Sequence, residues 1–181
     1  MAGMPRLSLA EWTVLALLDE RPSHGFAIAG ITAVGGEVGR IWQIPRPVIY
    51  RSLTRLAQYH LIEADGVEPG HGPQRTRYVV TPAGSDGVRE WLASPVQHIR
   101  DVRSHLLVKL ALLHRRDIDF QPLLARQRAA LEPIASGLST DEPEATGFDT
   151  VLLAWRRATT NATMAFLDDL TTEHSGASHG H

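Results

Sequence analysis

Residues 45–60 constrain the fold more than any other stretch of the chain. Pro45 and Pro47 suit the first turn of a helix, where a missing N–H does no harm; the helix they predict runs to about His60. On a helical wheel of 100° per residue, Ile49, Leu53 and Leu56 fall within about 40° of one direction. Arg51, Thr54, Arg55 and Gln58 fall between about 140° and 240° from Ile49, on the opposite side. Arg40, Arg46, Arg51 and Arg55 lie between residues 40 and 60 with no Asp or Glu among them. Such a helix packs one face on a core and shows arginine, threonine and glutamine on the other.

The flanking elements are set by local chemistry. Ser8-Leu9-Ala10-Glu11 has the form of a capping box. The helix it opens, about 8–20, is apolar all round and therefore expected to be buried. Arg21-Pro22-Ser23 is expected to stop it and cap a second helix over about 24–34, ended by Gly35-Gly36. Gly39–Ile44 reads as a connector with room for a short strand. Residues 61–64 and 75–80 read as two strands around a long hairpin loop, because 66–74 holds three Gly and two Pro. Thr81-Pro82 restarts a helix, Thr as N-cap and Pro at N1, to about Ser94.

Pro95 breaks the chain, and the C-terminal half reads as helical: 100–114 with Val102, Leu106, Leu107, Leu110 and Leu113, then 119–138, a loop over 140–147, and a last helix over about 147–171. That last helix carries Phe148, Val151, Leu152, Trp155, Ala158, Ala162, Phe166 and Leu170 along one stripe. The expected organisation is a DNA-binding domain over 1–94, a helical dimerisation region over 95–173 and a flexible tail over 174–181.

Composition narrows the function classes. Apolar residues make up 43% of 181, so a packed core is expected. The chain has no cysteine, which removes disulfides, thiolate metal sites and cysteine nucleophiles. No apolar run reaches the roughly 20 residues of a membrane span, and the first residues lack the pattern of a signal peptide. A cytoplasmic protein with no membrane partner is expected. Net charge is −2, so any nucleic-acid role rests on where the arginines point.

The order helix, helix, helix, hairpin, helix is that of a winged helix-turn-helix, in which the third helix enters the major groove of double-stranded DNA. Base edges there are read by donors and acceptors of the types on this helix: Arg for guanine, Gln for adenine, Thr for the thymine methyl or a polar edge. Arg46, Arg51, Thr54, Arg55 and Gln58 are candidate contacts. Arg75 and Arg77, two apart on a strand and so able to share a face, are candidate phosphate contacts from the hairpin.

Three segments resemble the PadR-type transcriptional regulators. His24-Gly25-Phe26-Ala27-Ile28 is similar to the family's His-Gly-Tyr-x-Ile. Ile49-Tyr50-Arg51-Ser52-Leu53-Thr54-Arg55-Leu56, running into Leu61-Ile62, resembles its recognition helix. Arg75-Thr76-Arg77-Tyr78 with Thr81-Pro82-Ala83-Gly84 resembles its wing and the start of its fourth helix. The resemblance implies a homodimer that represses transcription at a pseudo-palindromic operator, often released by a small-molecule effector. It also implies that Tyr50 and Arg55 touch DNA, with phosphates as the expected partners. The helical C-terminal half resembles the longer PadR-like branch by length and helicity. Pro47-Val48, where the family tends to have Gly-Ser, and Arg51, where it often has proline, depart from the pattern, so base preference does not transfer.

His24 is open to capping, packing or titration, with a structural role beside Gly25 favoured. The stripe on the last helix wants a partner helix, from 100–114 or a second chain, and a homodimer is expected. An effector site is conceivable near Trp91, Trp155 and Leu106, though aromatics so spaced are more often core. No nucleophile elbow, P-loop or dinucleotide fingerprint is present, so neither enzymatic activity nor a cofactor is expected. Nine histidines raise a metal sensor as a rival, but His98, His105 and His114 lack i, i+4 spacing. A winged helix that binds an acidic protein rather than DNA is the other rival.

Overall fold

A computed structural model describes residues 4–68, 75–138 and 146–177. They form two compact units: Met1–Ala93 with Leu107–Ile118, and Ser94–Leu106 with Asp119–His181. Residues 107–118, expected with the C-terminal region, thus pack in the first unit.

In the first unit, α1 (Leu9–Glu20) opens on the expected capping box. Ser8 Oγ accepts from Glu11 N at 3.3 Å, and Ser8 N donates to Glu11 Oε2 at 2.7 Å. Val14, Leu15, Ala16, Leu17 and Leu18 are all buried, as an all-round apolar helix requires. The second helix, α2 (Gly25–Thr32), starts later and ends sooner than expected. Its N-cap is His24 rather than Ser23: His24 Nδ1 accepts from Ala27 N at 3.0 Å. That assigns His24 a capping role. Residues 37–41 form turns, with no strand between Gly39 and Ile44; Val38 and Ile44 are buried and anchor the connection.

The third helix, α3 (Arg46–Gln58), stops two residues before the expected His60, which takes a left-handed φ of 56°. Ile49, Leu53 and Leu56 are buried, as the wheel demands, against α1 and α2. The hairpin strands are β2 (Ile62–Glu68) and β3 (Arg75–Val80), the first longer than expected; the loop residues 69–74 lie outside the described residues. A strand that the sequence did not signal, β1 (Ser23–His24), joins them, giving the antiparallel order β1-β3-β2. His24 pairs with Arg77, and Ser23 with Tyr78. Two residues are too few to show a period, which is why β1 escaped the sequence.

Thr81 caps α4 (Pro82–Ala93): its Oγ1 accepts from Gly84 N at 3.2 Å and donates to His60 O at 2.9 Å. A Cβ on Gly84 would stand 2.2 Å from Leu61 O, so only glycine lets this helix approach the strand. Trp12 and Trp91 stack at 5.3 Å between α1 and α4.

The expected helix over 100–114 is not continuous. A short α5 (Ile99–Asp101) leads into a π-helical turn, Val102–Leu106, and then α6 (Leu107–Arg115). The π turn rotates the helix face. Val102 and Leu106 are buried before it ends, and Val108, Lys109, Leu112 and Leu113 after it, whereas the uninterrupted stripe would have buried Leu110. In the first unit, α6 is pinned to α1 by Arg115, which donates to Glu20 at 2.8 Å and also pairs with Glu37, and by Arg116 with Asp19 at 3.3 Å.

The second unit pairs α7 (Gln121–Gly137) with α8 (Phe148–Ala177). Buried Gln127 bonds the Val96 backbone both ways: Oε1 accepts from N at 2.7 Å and Nε2 donates to O at 2.9 Å. On α8 the seam against α7 runs through Thr160 and Leu167, both buried. The stripe expected to be covered begins on a different face, and Phe148, Val151, Leu152 and Trp155 are exposed. The helix continues through Ala177, into the segment expected as a flexible tail; 178–181 and most of the expected 140–147 loop lie outside the described residues. No helix among the described residues is long and apolar enough to cross a membrane.

Candidate nucleic-acid interface

Helix α3 is fixed from below and open above. Arg51, Thr54, Arg55 and Gln58 are exposed or partly so, as are Arg46 and Tyr50. Thr54 Oγ1 donates to Tyr50 O at 3.1 Å, so its hydroxyl hydrogen is held within the helix while its methyl and lone pairs face out. Among the described residues Arg51 has no ion-pair partner, and its five N–H donors remain for a ligand.

Arg55 is held. Its Nε lies 3.1 Å from Glu11 Oε1, and its NH2 donates to Tyr59 Oη at 2.8 Å. The Tyr59 bond, then the Glu11 charge, raise its pKa above the ordinary guanidinium value. Glu11 is buried, so one end of the guanidinium is spent on the core and the rest faces outward.

Tyr50 is about half exposed, at 52%. Its ring lies so near Gly25 that a Cβ there would stand 2.8 Å from Cε1. The glycine of the His-Gly-Phe segment is therefore the floor on which Tyr50 rests.

The hairpin arginines do not act as a pair. Arg77 is half-buried and its NH2 donates to Asp65 at 2.8 Å across the β2–β3 ladder; its Nε is buried without a hydrogen bond. Arg75 instead lies over the Phe26 ring, 4.2 Å from the centroid, and Arg46 lies 5.2 Å from the same centroid. The β1–β3 register explains this: His24 opposite Arg77 carries Phe26 toward Arg75. One exposed aromatic thus gathers a wing cation and a cation from the first turn of α3.

The structure brings Arg46 and Arg75 together on Phe26, and places Tyr50, Arg51, Thr54, Arg55 and Gln58 along α3. Arg77 lies apart, tied to Asp65. Glu11, which the sequence marked only as a capping residue, Phe26, which it marked only within the family-like segment, and Tyr59 were not among the candidate contacts. The i, i+4 spacing of Arg55 and Tyr59 was legible; the reach of Glu11 to Arg55, across two helices, was not. Among the described residues no three His, Asp or Glu side chains converge as a metal site.

Residues 14–90 match the family described as "Transcriptional regulator PadR-like family". Bacillus subtilis PadR in complex with operator DNA is 18% identical, covering 89% of this chain and 97% of that one, with a TM-score of 0.46. The same protein in complex with p-coumaric acid gives 15% identity, 92% and 98% coverage and a TM-score of 0.44. A PadR-like transcriptional regulator from Bacillus cereus gives 16%, 95% and 99%, and 0.41. No curated protein matches the chain.

Proposed function

We propose that this chain, whose residues 14–90 match the PadR-like family of transcriptional regulators, is a repressor that binds a pseudo-palindromic operator as a homodimer and is released by a small-molecule effector. The observation that carries the reading is the exposed, acid-free face of α3 above a buried Ile49, Leu53 and Leu56. Arg51, Thr54 and Gln58 read base edges in the major groove. Arg46, Tyr50, Arg55 and Arg75 hold phosphates, which supply most of the affinity and fix the register. Arg77, spent on Asp65, contributes through the shape of the wing and only weakly as a free cation. A dimer would set two such helices about 34 Å apart, one turn of DNA.

Binding of the full chain to its own upstream DNA and to scrambled DNA, at two salt concentrations, tests this. Selective binding that weakens steeply with salt, at two chains per site, is expected. Equal binding to both DNAs at low salt, or none, would overturn the sequence-specific reading and favour an acidic protein as the partner of α3.

A further inference from the structure

Phe26 lies on the first turn of α2, two residues after β1 ends. Its ring is wholly apolar and yet 45% exposed. What lies over it is charge. Arg75 Cζ, from the start of β3, is 4.2 Å from the ring centroid, and Arg46 Cζ, from the start of α3, is 5.2 Å from it. Both fall within the roughly 6 Å over which a ring attracts a cation. The two guanidinium centres are therefore no farther apart than the sum of those distances. Both arginines are exposed, and among the described residues neither has a carboxylate within ion-pair distance. Glu68 stands opposite Arg75 in the β2–β3 register. The ring is placed from behind. His24 Nδ1 accepts from Ala27 N at 3.0 Å and holds the turn that carries Phe26, while the pairing of His24 with Arg77 sets that turn against the strand that carries Arg75.

Two like charges gathered on one ring repel each other, and an anion between them relieves that repulsion. An arginine that must order itself on a phosphate also loses rotamer freedom, which weakens binding by about three- to tenfold for each side chain. A ring that already holds both guanidiniums removes much of that loss. We propose that Phe26 is a positioning residue: its ring holds Arg46 of α3 and Arg75 of the wing before DNA arrives, so that the two grip the DNA backbone as one phosphate clamp. One strand carries a phosphate every ~3.4 Å of helix axis, so one phosphate or two neighbours fall within the span of the pair. Phe26 acts through the arginines and reads no base. The inference rests on the reading that α3 and the wing meet DNA, but only on its backbone part, which is the same for every sequence.

The test is fluorescence anisotropy of the full chain with a labelled duplex of scrambled sequence at low salt, with melting temperatures measured alongside. Phe26→Leu keeps an apolar side chain and removes the aromatic face; it should bind about three- to tenfold more weakly with an unchanged melting temperature. Phe26→Tyr restores the ring and should bind as the parent does. The deciding measurement is a double-mutant cycle, whose parent arm needs no change at Phe26. In the parent, Arg46→Gln with Arg75→Gln should lose less than the product of the two single losses, by a factor of about three or more; in the Phe26→Leu background the two losses should simply multiply. Glu68→Gln should not weaken binding. Parental affinity in Phe26→Leu would reduce the arginines to a cover for the ring. Losses that multiply in the parent would make them separate contacts, and a loss in Glu68→Gln equal to that in Phe26→Leu would make Glu68 the group that positions Arg75. Each of these would overturn the proposal and leave the DNA reading standing, whereas a parent that binds no duplex at low salt would overturn both.

Discussion

Glu11 Oε1 lies 3.1 Å from Arg55 Nε, while its Oε2 accepts from the Ser8 backbone N–H at 2.7 Å. One buried carboxylate therefore caps α1 and steadies a cation on the open face of α3. If Arg55 touches DNA as proposed, folding and DNA contact are coupled through this carboxylate. Arg55→Gln would leave the carboxylate buried without its cation, and should lower stability in urea unfolding. It should also reduce the salt slope of DNA binding by about one phosphate. Glu11→Gln together with Arg55→Gln should cost less stability than the two singles added, because the uncompensated charge is gone. Additive costs would show that the pair is not coupled.

Arg51 and Arg75 are predicted to fail differently. Among the described residues Arg51 stands without an ion pair, on the open face of α3; if that face reads the major groove, its replacement by alanine should relax sequence preference and cost about 1–3 kcal/mol on the preferred site only. Arg75 lies at the hairpin over Phe26; its replacement should weaken all sequences alike and lower the salt slope. Competition binding against a library of single-base variants distinguishes the two. A uniform loss for Arg51→Ala would move that residue to the phosphates.

The winged-helix part of this design was legible because each signal was local. The Ser8–Glu11 box, the wheel of α3 and Thr81-Pro82 are decided by residues within a few turns of one another at most, and all three appear where the sequence put them. The features that escaped depend on partners distant in sequence. The two-residue β1 exists only because β3 pairs with it, and Phe26 meets Arg75 only through that pairing. The helix over 100–114 was misread because periodicity presumes a constant turn, and the π turn at Val102–Leu106 breaks it. On α8 the sequence marked an apolar stripe but could not say that the intrachain seam would use Thr160 and Leu167 instead.

Gly25 and Tyr50 give a steric prediction. A methyl at Gly25 would meet the Tyr50 ring at 2.8 Å, and Leu53 Cδ1 at 3.1 Å. Because α2 and α3 pack through this contact, Gly25→Ala should cost roughly 1–3 kcal/mol and turn Tyr50 away from its resting place. DNA affinity should fall by more than the change in folded fraction accounts for. Tyr50→Phe, which keeps the ring and removes the hydroxyl, should leave stability within about 0.5 kcal/mol and isolate the hydroxyl's share of binding. Equal loss in both variants would point to the hydroxyl as the whole effect.

Lys109 carries a pH prediction. It is 3% exposed, with its Nζ 5.0 Å from the Trp91 ring centroid, and burial pushes its ammonium down to about 8. The folded state therefore releases this proton before the unfolded chain does, whose lysine titrates near 10.5. The penalty of burying the charge is present in full below about pH 8 and is relieved as pH rises from 8 toward 10.5. Lys109→Met removes the charge and keeps the volume, and gives up the cation–π contact with Trp91. The stability of the variant relative to the parent should be higher at pH 7 than at pH 10, because the parent's burial penalty is relieved over that range. A gain that is the same at both pH values would mean that desolvation of the ammonium is not its source.

The open face of α8 carries the last prediction. Trp155 is 67% exposed and Phe148 71%, with Val151 and Leu152 beside them on consecutive turns. The seam against α7 already uses another side of the helix, through Thr160 and Leu167. Phe148, Val151, Leu152 and Trp155 thus form an exposed apolar face of α8. If a second copy covers that face, Val151→Glu with Trp155→Glu should give a monomer by light scattering. In an isolated chain such exposed substitutions should alter stability by no more than about 0.5 kcal/mol each. The melting temperature of the parent should rise with protein concentration, and that of the variant should not. Operator affinity should drop because a monomer engages one half-site instead of two. A variant that stays dimeric with parental operator affinity would show that this face is not where two copies meet.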